Sequence, residues 1–507
     1  MRIPQGMVLD CHQISRLRCA ELLPPVTKET LSELDLERIM RNIHLRTDAN
    51  FEPDLHFKPD LDGEKGRKKR KIADDYWEAL LVEIMIYAYV NMNGSQTDDI
   101  SLVQIPDSEI LKEGLFRPRL PMMFETLQEI LKTLVPERDH ASVTENLDVS
   151  LLMQQVRKGV LDLPNLSSWL AALLKTHCAP MRDQNADEMV SHISEGSASQ
   201  DMAKVAMGLR TLFGILEMMK LDVANHQIRA FRLILIEDTV PFLQDYFCRQ
   251  ITSRELKIEG TKAWYQDGQK RIADLPKEFA TRKFSPVAVL LRGLCELLLQ
   301  GDDDVKFPQA FQFDNHRLWQ LRTEVQNLIN IHVCWSIFES MVTNTPYGHS
   351  YTRSHLLSTF MMRISALLNE IDVSSNQGPK LGTRLPNDAS IAVEMARLVC
   401  EVNRSTGEVS DEALSTVETA LKKSFTEDSF TFRLVQNCVR QQLQHTTYEL
   451  AQRYISMSPL EICESQRARQ LLRSQPSDLG YIATKLAHIG VLHWRVWAPL
   501  VYMAETP

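Results

Sequence analysis

The stretch from Leu163 to Phe247 is the part of this chain most narrowly limited in what it can become. Leu166, Trp169, Leu170, Leu173, Leu174 and His177 recur at i, i+3, i+4, i+7, i+8 and i+11, the spacing of one face of an α-helix. The stripe stops at Cys178-Ala179-Pro180-Met181-Arg182-Asp183. Pro180 ends one helix there, and Asp183 is placed to cap the next. A second stripe follows, of Met202, Val205, Ala206, Leu209, Leu212, Phe213, Leu216 and Met219. It leads into a more polar face carrying Asp222, Asn225, Ile228, Arg229 and Arg232. Pro241 cannot sit quietly inside a helix, and a kink there is expected in preference to a new helix capped by Asp238 or Thr239.

The same period recurs along the chain. Asp74 or Asp75 is expected to cap a helix lined by Trp77, Leu80, Leu81, Ile84 and Ala88, which Asn93-Gly94 stops. Further helices are expected from Pro121 to before Pro136 and over Asp148–Val160, Arg317–Met341, Tyr351–Ile371, Ala389–Val402, Asp411–Phe425, Phe430–Ile455, Pro459–Arg473 and Asp478–Trp497. Glu255–Asp274 is polar and reads as a long loop. No segment alternates with period two long enough to build a sheet. The fold class is therefore all-α, an elongated multi-helix bundle or array with an extended N-terminal arm.

Residues 1–72 read as an N-terminal helix, begun at Pro24-Pro25-Val26-Thr27, and an extended basic arm. Periodicity disappears from Ala49 to Lys71, where Pro53 and Pro59 favour extended backbone. Residues 73–507 read as one large helical domain, with a lobe hinge at 374–386 marked by Gly378, Pro379, Gly382 and Pro386.

The 507-residue chain is 44% hydrophobic and 24% charged, ordinary for a globular protein with a large core. Its net charge of -9 gives no global reason to bind nucleic acid or an anionic membrane. The nine cysteines are scattered, odd in number and free of CxxC spacing, which reads as reduced thiols in a cytoplasmic or nuclear protein. Val287–Leu299 is the most apolar stretch, but Arg292 and Glu296 interrupt it and it is too short to span a bilayer. Phosphate-cradling glycine loops, nucleophile elbows and histidine metal spacings are absent. Asp302-Asp303-Asp304 reads as a solvated acidic turn. No catalytic residue, cofactor site or metal ligand is expected, and the chain does not read as an enzyme.

Two sets of residues stand out. Arg67, Lys68, Lys69, Arg70 and Lys71 are five consecutive cations in an acidic protein. On a mobile arm they would serve as a nuclear-import signal, as a solvated linker offsetting Asp60, Asp62, Asp74 and Asp75, or as a phosphate or lipid contact. The second set surrounds the two stripes. Arg182 is expected to pair with a carboxylate across a helix interface. Asn225, Arg229 and Arg232 share one face at i, i+4 and i+7 and form either a buried network or a partner-facing groove.

Cys178-Ala179-Pro180-x-Arg182-Asp183 after a Trp/Leu-rich helix, with Asp222-x-x-Asn225-x-x-Ile228-x-x-x-Arg232 beyond it, resembles the T-complex protein 11 family. Pro24-Pro25-Val26-Thr27 and Phe57-Lys58-Pro59-Asp60-Leu61-Asp62-Gly63 look like its filamentous-fungal branch. The resemblance extends from about residue 20 to the C-terminus. One departure is Gln244-Asp245-Tyr246-Phe247, where many relatives carry a Glu-Arg pair before the aromatic residue. The resemblance implies a helical, non-enzymatic regulator with protein partners in cyclic-AMP/protein kinase A signalling, and it brings no catalytic residues. The alternative is a nuclear adaptor that uses the basic arm for import or nucleic-acid contact.

Overall fold

A computed structural model describes residues 3–4, 6–58, 62–92, 116–273, 285–300, 306–343, 353–369, 387–402, 409–426, 429–471 and 478–503. Every regular element among them is helical. The expected stops at Asn93-Gly94, the acidic turn Asp302–Asp304 and the hinge at 374–386 lie outside the described residues. The chain divides into two compact units, one of residues 1–45 and 54–232, the other of residues 46–53 and 233–507.

The first unit contains α1 (Cys11–Cys19), α2 (Lys28–Leu31), α3 (Leu36–Met40), the start of α4 (Ile43–Ala49), α5 (Glu64–Met92), α6 (Leu120–Leu134), α7 (His140–Asn146), α8 (Val149–Lys158), α9 (Leu163–His177), α10 (Asp183–Ser199) and most of α11 (Met202–Glu237). Local chemistry sets the ends. The Asp148 carboxylate accepts the Leu151 N–H at the start of α8, and Gly159, with φ of 65°, closes it in the left-handed conformation. Asp162 caps α9 in the same way. Both predicted stripes point inward: Leu170, Leu174, Leu209, Leu212, Phe213 and Leu216 join Tyr76, Trp77, Leu80, Met123 and Leu127 in one core.

The second unit continues with α12 (Thr239–Thr252), α13 (Glu259–Ala273), α14 (Pro286–Leu299), α15 (Asn315–Thr343), α16 (Arg353–Asn369), α17 (Asp388–Val402), α18 (Asp411–Ser424), α19 (Phe430–Tyr454), α20 (Pro459–Leu471) and α21 (Leu479–Trp497). Helix α21 packs along α19 and against α14. Gly490 permits the approach to α14, since a β-carbon there would collide with Leu291. Leu290, Leu294, Val325, Ile329, Phe338, Ile391, Leu443 and Leu486 fill this second core.

Four sequence expectations need correction. Helix α5 starts at Glu64 and not at Asp74 or Asp75, so the boundary expected after residue 72 falls inside it. Lysine and arginine are good helix formers, and the Glu64–Lys68 pair, at 2.7 Å and four residues apart, supports the first turns. Asp74 instead pairs with Arg210, and Asp75 with Arg16. Residues 259–273, read as a loop, form α13, because Thr261 and Tyr265 bury one narrow stripe. At Pro241 the chain does not kink within one helix. Helix α11 ends at Glu237, and α12 begins at Thr239 with Pro241 in its first turn, where no N–H partner is needed. Asp183 is the first residue of α10 and does not cap it, because a 3-10 turn over Pro180–Arg182 leads directly into the helix.

The first residues of the stretch read as an extended arm, Asn50 and Phe51, are packed into the second unit together with Arg46 and Asp48 just before them. Arg46, 5% exposed, pairs with Asp238 at 2.9 Å and lies 4.0 Å from the Phe242 ring centre. Asn50 donates to the Arg46 carbonyl and to the Thr239 hydroxyl. Arg317 pairs with Asp48 and Asp314 and lies 4.4 Å from the Phe51 ring centre. Phe51 also packs on His488, with ring centres 4.6 Å apart.

Candidate interaction site

Of the residues singled out by the sequence, Asn225, Ile228, Arg229 and Arg232 lie on α11, while Cys178–Asp183 form the turn into α10 and Arg67–Lys71 begin α5. Helix α9 ends at His177, whose Nε2 lies 2.9 Å from the Asp139 carboxylate. Cys178, Ala179 and Pro180 then turn the chain, and Arg182 reaches back to α11. Its Nε and Nη2 each donate to one Asp222 oxygen, both at 3.0 Å, a two-pronged geometry that fixes orientation as well as distance. Those hydrogen bonds hold the Arg182 pKa above its ordinary value. The expected pairing of Arg182 with a carboxylate on another helix is thus present.

One turn beyond Asp222, the Asn225 side chain binds the backbone of Phe57. Its Oδ1 accepts the Phe57 N–H at 2.6 Å, and its Nδ2 donates to the Phe57 carbonyl at 3.4 Å. Ile228 is buried on the same helix, and Arg229 is exposed, with its Nε donating to the Asn225 carbonyl at 3.3 Å. Arg232 is half-buried one turn further on. Asn225 and Arg229 therefore meet, but through the helix backbone and not as side chains of one network.

Cys178 is half-buried, and burial pushes its thiol up to about 11, helped by the charges of Asp183 and Asp222. A thiol held that high is a poor nucleophile near neutrality. Asp183 Oδ1 is buried without a hydrogen-bond partner among the described residues. Its place in the first turn of α10 offers the favourable end of the helix dipole in compensation.

Arg67, Lys68, Lys69, Arg70 and Lys71 occupy the first turns of α5, all exposed. Lys68 faces Glu64, Lys69 lies 3.7 Å from Glu33, and Arg70 lies 3.3 Å from Asp62. Lys69 also faces Glu217 of α11. The carboxylates that balance the run come from four places in the chain, and only Asp62 and Glu64 lie beside it in sequence.

Several residues went unnoticed in the sequence. Glu83 is fully buried, and its two oxygens accept the N–H groups of Arg119 and Leu120 at 2.6 and 3.0 Å, capping α6. A lone carboxylate beside Leu80 and Ile84 on an apolar face was the available signal. In the second unit, His493 stacks on Phe311 with ring centres 3.7 Å apart, and its Nε2 lies 2.8 Å from the Tyr502 hydroxyl. Burial holds His493 well below its ordinary pKa and pushes His488 down to about 3, so both are neutral packing groups near pH 7. A cleft lined by Thr47, Phe247, Asp314, His493 and Trp497 holds about 20 Å³, room for roughly one water. Among the described residues no three His, Cys, Asp or Glu side chains gather as metal ligands, and no helix is long and apolar enough to cross a membrane.

Fold and site define an all-α protein whose distinctive side chains pin helices to one another and hold an extended segment in place. A T-complex protein 11 family profile matches residues 45–507, and the chain belongs to that family. It is 33% identical to Protein SOK1 of Saccharomyces cerevisiae over 386 residues, 75% of this chain and 40% of that protein. It is 26% identical to the human T-complex protein 11-like X-linked protein 2 over 42% of this chain and 45% of that protein. Mouse T-complex protein 11 is 25% identical over 52% of this chain and 44% of its own length. The chain thus covers less than half the length of these relatives. No solved structure matches it.

Proposed function

We propose that this chain is a non-catalytic interaction protein in cyclic-AMP/protein kinase A signalling, acting on protein partners in the cytoplasm, the nucleus or both. One observation carries the non-catalytic part. Arg182 and Asn225, two of the polar residues of the family resemblance, are engaged in holding other parts of the chain and present no reactive group. Family membership supports the regulatory part. The basic run is helical, and Lys68, Lys69 and Arg70 lie beside acids, whereas an import signal is read as an extended segment. That favours a solvated helix end over an import role for Arg67–Lys71. The test is direct binding of the purified full chain to the regulatory and catalytic subunits of protein kinase A, with and without cyclic AMP. Saturable binding to either subunit, or a change in kinase activity, is expected. Neither response under any condition would refute the pathway assignment.

A further inference from the structure

We propose that Asn225 is the backbone-reading residue of a peptide-binding site on α11. In the resting chain the site is filled by the protein's own segment Asp54–Phe57. An extended partner segment with apolar residues two positions apart takes its place. The inference rests on the interaction-protein reading and gives it a surface.

The geometry is that of strand recognition carried out by one side chain. Both backbone groups of Phe57, its N–H and its carbonyl, are bound by the single Asn225 carboxamide. A neighbouring β-strand would engage the same two groups. Such a contact holds extended backbone and does not read the side chain, so another sequence can satisfy it. The side chains of the bound segment alternate. Leu55 is 4% exposed and Phe57 is half-buried, while Asp54, His56 and Lys58 face solvent. This is the period-two pattern of a docked strand on an otherwise helical surface.

Neither Leu55 nor Phe57 belongs to the main hydrophobic cluster of its unit, although Leu55 is itself buried. The reader is held ready from both sides. Arg182 fixes Asp222 one turn before Asn225, and Arg229 bonds the Asn225 carbonyl from one turn after. Two amide hydrogen bonds and one buried leucine make a weak contact on their own. Covalent linkage, with an effective concentration of roughly millimolar order, keeps the site filled until a better segment competes.

The test uses the full chain and a fluorescein-labelled peptide of residues 52–58, followed by fluorescence anisotropy. Leu55→Asp should release the internal segment and bind the peptide at least tenfold more tightly than the unaltered chain. Adding Asn225→Ala to Leu55→Asp should abolish that gain. A folded Leu55→Asp chain that binds no better, or a double variant that keeps the gain, overturns the proposal. A second release variant, with residues 54–57 replaced by Gly-Ser-Gly-Ser, guards against a specific effect of the new aspartate. If both release variants unfold by circular dichroism, the segment is an integral part of the fold and the proposal also fails. Binding of kinase subunits to the unaltered chain is scored separately, so failure here leaves the broader reading standing, and the reverse holds too.

Discussion

Glu83 has no exposure, yet both its oxygens are occupied. Burial pushes its carboxyl up to about 7, against the two N–H donors and the nearby Arg119 charge, which pull it down. The folded chain therefore binds this proton more tightly than the unfolded chain does between the ordinary carboxyl value and about 7. Wherever the folded state holds the extra proton, stability falls as pH rises. Across that window the loss from this group is on the order of 3 kcal/mol. Glu83→Gln cannot titrate, and it also loses one acceptor for the α6 N–H groups at every pH. The variant should start less stable than the unaltered chain at pH 5 and close part of the gap by pH 8, as urea denaturation at both values would show. Parallel stability curves would mean that Glu83 is ionised throughout.

Helix ends in both units are closed by side chains from distant helices. Arg119 donates to the carbonyls of Leu17, Ala20 and Glu21 at the end of α1. Arg322 donates to those of Leu297 and Gln300 at the end of α14, and Arg495 to those of Tyr454, Ile455 and Met457 after α19. Glu237 does the converse for α20, accepting from the Ser458 hydroxyl and the Leu460 N–H. Replacing Arg495 with Met keeps most of the packing volume but strips several carbonyls of their donor. A loss of about 1–3 kcal/mol is expected in chemical denaturation. These long-range caps explain where sequence reading worked and where it failed. Helices α17, α18, α19 and α21 were legible to within a residue or two, because their stripes are apolar and three of their caps are local: Ser410 for α18, Ser429 for α19 and Asp478 for α21. The start of α5 was not legible, because acids from Glu33 to Glu217 balance its charge and only the folded chain brings them together. Arg182 and Asn225 were visible as unusual residues, but Asp222 lies 40 positions from Arg182 and Phe57 lies 168 from Asn225. Replacing Arg67, Lys68, Lys69, Arg70 and Lys71 together by Gln tests the balanced-charge account. Gln keeps helix propensity, and exposed ion pairs are worth about 0–1 kcal/mol each, so the melting temperature should move only a few degrees. Loss of the far-UV helical signal together with a collapsed melting temperature would show that the run is structural.

At the scale of the whole molecule, the units do not follow chain order. Residues 46–53 belong to the second unit although the first supplies the chain on either side, and the division on the C-terminal side falls inside α11. The family match begins at residue 45, one residue before this short segment. Its contacts are dense for eight residues: Arg46 on Asp238 and Phe242, Asp48 on Arg317, Asn50 on Thr239, Phe51 on Arg317 and His488. Cys463 donates its thiol hydrogen to the Asn50 carbonyl at 3.1 Å. A lesion near the N-terminus should therefore register in helices hundreds of residues away. Phe51→Ala removes a half-buried ring and one face of the Arg317 contact, at a cost of about 2–3 kcal/mol. Arg317 keeps its carboxylate partners, so the unit should loosen without losing its ion pairs. Hydrogen–deuterium exchange on the full-length variant would locate the effect. Faster exchange is expected at the start of α15, which carries Arg317, and in the middle of α21, which carries His488. Helices α6 and α9 of the first unit should exchange as before. If the increase appears in α6 and α9 and spares α15 and α21, residues 46–53 take their stability from the first unit, and the division of the chain at residues 46 and 53 is misplaced.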